Sequence, residues 1–83
     1  LFMSKIEKLI ERFLKIPKDF TWNELVKLMN YFGYKQIFGS GSRRSFIHDR
    51  YQLIILHEPH PRKVLKVYQI KLIIEIFKED KLL

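Results

Sequence analysis

An α+β fold is predicted for the 83 residues, in the order helix, helix, three antiparallel strands, helix. Three observations predict it. Ser4-x-x-Glu7 and Thr21-x-x-Glu24 are capping boxes, each followed by an apolar stripe at helical spacing. A period-two stretch interrupted by Gly39-Ser-Gly-Ser follows them. Helical spacing then returns at Val67, beyond a loop holding Pro59 and Pro61.

From Ser4 to Lys15, apolar residues fall at Ile6, Leu9, Ile10 and Phe13, while Lys5, Lys8, Glu11, Arg12 and Lys15 lie off that stripe. Pro17 ends the segment, because it lacks an N–H and biases Ile16 away from helical geometry. Behind the second capping box, Trp22, Leu25, Met29 and Phe32 form a stripe widened by Val26 and Leu28, and Gly33 stops it. Tyr34–Phe38 is predicted as a first strand and Arg44–His48 as a second. A tight hairpin turn is expected at Asp49-Arg50. Tyr51–Leu56 is almost continuously apolar, which predicts a strand central in the sheet and covered by helices. Glu58–Lys66 reads as a loop. Val67, Ile70, Ile74 and Phe77, with Ile73 and Ile76 beside them, mark the last helix. One domain over 1–83 is expected, with 4–15 as an added helix and 21–83 as the core.

Composition narrows the function. With 47% hydrophobic and 14% aromatic residues a small core can fold without staples. The absence of cysteine excludes disulfides, thiolate metal sites and a cysteine nucleophile. Sixteen Lys and Arg against nine Asp and Glu give a net charge of +7, which points to a nucleic acid, an anionic membrane or an acidic protein as partner. The longest uninterrupted apolar run, Leu53–Leu56, cannot span a bilayer. The segment Leu1–Lys5 lacks the apolar block of a signal peptide. A soluble, cytoplasmic protein is expected.

The stretch Gly39-Ser-Gly-Ser-Arg-Arg is the first candidate site: glycine permits a close backbone approach, and arginine offers a forked donor suited to phosphate. Alternation puts Arg44 with Phe46 and His48, on the opposite face from Arg43 and Ser45. Arg62, Lys63 and Lys66 form a basic run before the last helix. Ser40 and Ser42 have no evident base beside them and read as turn residues. The spacing His57-x-x-His60 alone does not make a zinc site without a carboxylate framework, so neither metal nor small-molecule cofactor is expected. Tyr34, Phe38 and Tyr51 are suited equally to stacking on bases and to packing in a sheet core.

At Gly41-Ser42-Arg43, Phe46, and Leu56-His57-Glu58-Pro59-His60-Pro61 before a final helix, the chain resembles the HicA toxin family. These are small basic mRNA interferases of toxin–antitoxin pairs, with a fold like a double-stranded-RNA-binding domain. Trp22-Asn-Glu-Leu resembles the start of the family's first helix, and Gly33-Tyr34 its helix-to-strand step. The family's signature is Gly-Ser-His with a catalytic histidine; here that position falls on Arg43, or on Gly41 if the first Gly-Ser is the match. A second family histidine corresponds to His60. The added N-terminal helix and the Gly-Ser-Gly-Ser-Arg and His-x-Pro-His-Pro segments are similar to one branch of the family.

The resemblance implies metal-independent RNA cleavage by attack of a 2′-hydroxyl on phosphorus, which needs a base, an acid and cations. Histidine suits the first two roles. His60 is the first choice, with Arg43 as phosphate clamp. His48, beside Asp49, and His57, read as a hydrogen-bonded structural residue, are second choices. Arg43, Arg44, Arg62, Lys63 and Lys66 are the expected contacts to mRNA, and a HicB-like antitoxin is the implied protein partner. A noncatalytic RNA-binding module and a basic protein-interaction domain are the other readings, and neither involves a membrane.

Overall fold

The computed structural model describes residues 2–83; Leu1, the first residue of the segment read above for targeting signals, lies outside them. Its elements are α1 (Lys5–Leu14), α2 (Trp22–Tyr31), β1 (Lys35–Phe38), β2 (Arg43–Ile47), β3 (Ile54–His57) and α3 (Val67–Glu79). Both capping boxes form: Ser4 Oγ accepts the Glu7 N–H while Glu7 accepts that of Ser4, and Thr21 and Glu24 repeat the exchange. Orphan donors at both helix starts are thereby satisfied locally.

The strands make one antiparallel sheet in the order β1-β2-β3. Its inner face presents Phe46, Ile54 and Leu56 to Trp22, Leu25, Leu28 and Met29 of α2 and to Ile70, Ile73, Ile74 and Phe77 of α3. Phe13 carries α1 onto the same core, its ring 5.0 Å from that of the fully buried Phe20. Burying each such side chain contributes about 1.5–3 kcal/mol. From α2 onward the order α-β-β-β-α is that of a double-stranded-RNA-binding domain. Among the described residues no helix is long and apolar enough to cross a membrane.

Two expectations at the far end of the sheet are corrected. The apolar run Tyr51–Leu56 is not a central strand: β3 begins only at Ile54 and lies at an edge, with β2 in the middle. Only one face of the sheet is covered, so Ile54 and Leu56 are buried while Leu53 and Ile55 are exposed. Nor is Asp49-Arg50 a tight turn. Without glycine to take positive φ, the chain crosses between β2 and β3 by a longer loop whose shape side chains fix. Asp80 accepts both the backbone N–H and the side-chain amide of Gln52, and the Tyr34 hydroxyl donates to the Gln52 carbonyl. Burial, with the negative Asp80 nearby, pushes the Tyr34 phenol up to about 12, so it stays a donor.

His48 is the other fastener of this loop. Its Nδ1 accepts the Arg50 N–H at 3.0 Å and its Nε2 donates to the Phe32 carbonyl at 2.9 Å, while the ring lies between those of Tyr34 and Tyr51. Asp49, the carboxylate expected to orient it, is not among these partners. Gly33 has φ +90°, and a Cβ there would meet His48 Nε2 at 2.9 Å. Gly33→Ala is therefore expected to cost about 1–3 kcal/mol, measured as a lower urea midpoint with unchanged slope.

Candidate functional site

The other end of the sheet gathers the chemistry. Gly39–Ser42 turns β1 into β2, closed by Gly39 N–H to the Arg43 carbonyl and Arg43 N–H to the Ser40 carbonyl. Gly41 takes φ +57°, with open space where a side chain would stand, so only glycine turns here without strain. Arg43 then opens β2 directly across from His57, the last residue of β3. Cross-strand partners share a face with Cβ atoms roughly 5 Å apart; here it is the open face, and both residues are exposed. His57 Nδ1 lies 3.2 Å from Ser42 Oγ. Ser42 thus has a base beside it after all, and His57 is a hydrogen-bonded histidine at the surface.

Arg44 faces inward with Phe46, as alternation predicts. Its Nε donates to Glu58 Oε1 at 3.0 Å, its Nη1 to the Gly41 and Arg43 carbonyls, and its guanidinium lies 4.3 Å over the Phe38 ring. Glu58 is only 6% exposed and takes a second cation, Lys63 Nζ, at 3.0 Å through Oε2. Burial by itself would raise the Glu58 carboxyl, but the hydrogen bonds and charges of Lys63 and Arg44 outweigh it and hold the group below the usual carboxylate range. The Glu58 N–H also donates to the Ser42 carbonyl at 2.8 Å. One buried acid therefore ties the Gly-Ser turn to the proline loop.

Beyond Pro59, which is buried, His60 is exposed and joined to Pro61 by a cis peptide bond. It lines a shallow cavity of about 390 Å³ with Pro61, Arg62, Val64, Leu65, Lys66, Val67 and Lys18. No carboxylate lines it, and among the described residues Lys18, Arg62, Lys66 and Arg43 form no ion pair. The buried Gln69 fixes the junction with α3, accepting the Lys66 N–H and donating to the His57 carbonyl, both at 2.9 Å.

The expected site residues therefore divide. His60, Arg62 and Lys66 share the cavity, while Arg43 and His57 stand together on the open sheet face and do not line it. Lys63 reaches Glu58, although its side chain is 62% exposed. His48 follows the opposite end of β2, roughly 16 Å along the strand from Arg43, with both ring nitrogens engaged. No group of three or more potential metal ligands occurs among the described residues. Sequence reasoning missed Glu58, Gln69 and Lys18. The inward parity of Arg44 was the available signal for the first, since a cation facing a core needs an acid.

A family model described as "HicA toxin of bacterial toxin-antitoxin" matches residues 22–78, well over half of the chain. The chain belongs to the HicA toxin family. No curated protein and no solved structure matches it. As a HicA family member it is the toxin of a toxin–antitoxin pairing. The matched segment starts at the first residue of α2, so the helix α1 and its linker, with Arg12 and Lys18, stand outside what the HicA family model describes.

Proposed function

We propose that this HicA family toxin binds RNA and cuts it with side-chain acid and base groups. What supports the reading, beyond family membership, is one observation: each exposed imidazole has beside it cations that form no ion pair among the described residues, Arg43 across from His57 on the open sheet face, and Arg62 and Lys66 in the cavity that His60 lines. In the proposed step one imidazole takes the proton of a 2′-hydroxyl as its oxygen attacks phosphorus. The P–O5′ bond breaks, and the other imidazole protonates the departing 5′-oxygen. The products carry a 2′,3′-cyclic phosphate and a 5′-hydroxyl. Arg43 stays protonated throughout, so it stabilises the phosphorane charge and moves no proton. Arg44 and Lys63 act through Glu58 by holding the loop, and Lys63 also has exposure enough to meet a phosphate.

The antitoxin in this reading is a HicB-like protein that covers the same basic surface. Beside Arg43 and His57 the open sheet face carries exposed Ile37, Ile47 and Ile55. Contiguous apolar area rimmed by cations suits a protein partner with an acidic edge.

Purified protein incubated with single-stranded RNA is expected to yield cyclic-phosphate and 5′-hydroxyl ends, with cleavage persisting in EDTA. Intact RNA with a salt-sensitive mobility shift would make the chain a binding module instead. No RNA affinity at low salt would leave only the protein-interaction reading.

A further inference from the structure

We infer that Lys18, in the linker between α1 and α2, is a phosphate-binding residue of the RNA site, and that α1 serves that site by holding the linker in place. The inference rests on the RNA reading above and extends it to residues outside the family match.

The linker is sewn to the proline loop by backbone bonds. Trp22 N–H donates to the Lys63 carbonyl at 2.9 Å and Leu65 N–H to the Phe20 carbonyl at 2.8 Å, on either side of an antiparallel bridge between Thr21 and Val64. Phe20 and Leu65 are both buried, so the pairing is anchored from inside. Lys18 emerges just before this stitch and forms a wall of the cavity that His60, Arg62 and Lys66 also line. Three cations, Lys18, Arg62 and Lys66, thus meet with the His60 imidazole around one concavity with no acid among its lining residues, an arrangement that like-charge repulsion disfavours until an anion enters.

The neighbouring acid is kept out of the way. Asp19 would neutralise Lys18 locally, but Arg12 of α1 takes it, with Nη2 2.9 Å from Asp19 Oδ1 and 3.3 Å from its carbonyl. Through Nη1 the same guanidinium reaches Glu24 at 3.2 Å, and it lies 5.1 Å over the Phe20 ring. Arg12 therefore ties the linker, through Asp19, to α2, through Glu24, and leaves Lys18 exposed. The ligand suited to such a wall is a backbone phosphate of the strand whose scissile bond lies at the histidines.

A single-stranded oligoribonucleotide with 2′-O-methyl groups throughout has no attacking hydroxyl, so it reports binding without cleavage. Lys18→Ala is expected to weaken its affinity several-fold and to reduce the slope of log affinity against log salt by about 0.7, whereas Lys18→Arg keeps both. Lys78→Ala, at the far end of α3, is expected to leave the slope unchanged. Arg12→Ala is expected to lower the slope in the wild-type background and to have no further effect once Lys18 is alanine. If wild-type protein binds the oligomer and Lys18→Ala keeps the wild-type slope, or if Lys78→Ala lowers it as much, this inference fails and the RNA reading survives. Failure of the wild-type protein to bind at low salt overturns both.

Discussion

His60→Ala is expected to slow RNA cleavage by roughly 10²–10⁴-fold while affinity for the 2′-O-methyl oligomer stays near wild type. The chain has only three histidines, and the reaction needs one proton acceptor and one donor. His48 fills neither role, because Phe32 and Arg50 occupy both of its ring nitrogens. That leaves His57 and His60, so His57→Ala is expected to fall in the same range. A wild-type pH–rate profile with two limbs should lose one limb in each variant, an outcome a merely structural histidine would not produce. The register adds a sharper check. Arg43 and His57 are direct partners, so an imidazole can enter the same space from either strand. Arg43→His, which restores the family's Gly-Ser-His, is expected to recover part of the activity in the His57→Ala background. Full cleavage by the His57→Ala, His60→Ala double variant would overturn the assignment.

What the sequence made legible follows from where its signals are local. Ser4 with Glu7 and Thr21 with Glu24 fix helix starts within a few residues, and the stripe Trp22, Leu25, Leu28, Met29 declares its buried face. Parity across β2 told Arg43 from Arg44. The failures are nonlocal. Tyr51–Leu56 looked central because composition does not say how many faces of a sheet are covered. The loop after His48 is shaped by Phe32, Tyr34 and Asp80, residues distant in sequence. The place of Lys18 was not legible, since nothing within reach of Pro17 announces that Thr21 will pair with Val64. Glu58 was read as a loop residue, yet a single acid between two histidines, in a segment ending Arg62-Lys63, is the natural counter-ion for an inward arginine.

Glu58 accordingly carries the second large prediction. Glu58→Ala is expected to destabilise the fold by roughly 3 kcal/mol, because it strands the Arg44 guanidinium, whose side chain is 12% exposed, without its acid. Lys63 contributes little to that figure, since its exposed ammonium can return to water. Glu58→Gln keeps a hydrogen-bond acceptor and is expected to cost less. It also isolates the charge. A carboxyl held below its ordinary value of 4.5 in the folded state contributes stability that is complete above that value. This contribution disappears as pH falls through the depressed folded value. Wild-type protein should therefore lose stability below about pH 4.5, and Glu58→Gln should show a shallower acid limb in urea titrations at successive pH values. Because the Glu58 side chain joins Arg44 of β2 to Lys63 of the proline loop, and glutamine can still accept from Arg44, Glu58→Gln should preserve cleavage. Glu58→Ala should reduce it even at temperatures where the variant is fully folded. An Ala variant as stable as wild type would mean that Arg44 finds another acceptor and that the two segments of the site are joined by their backbones alone.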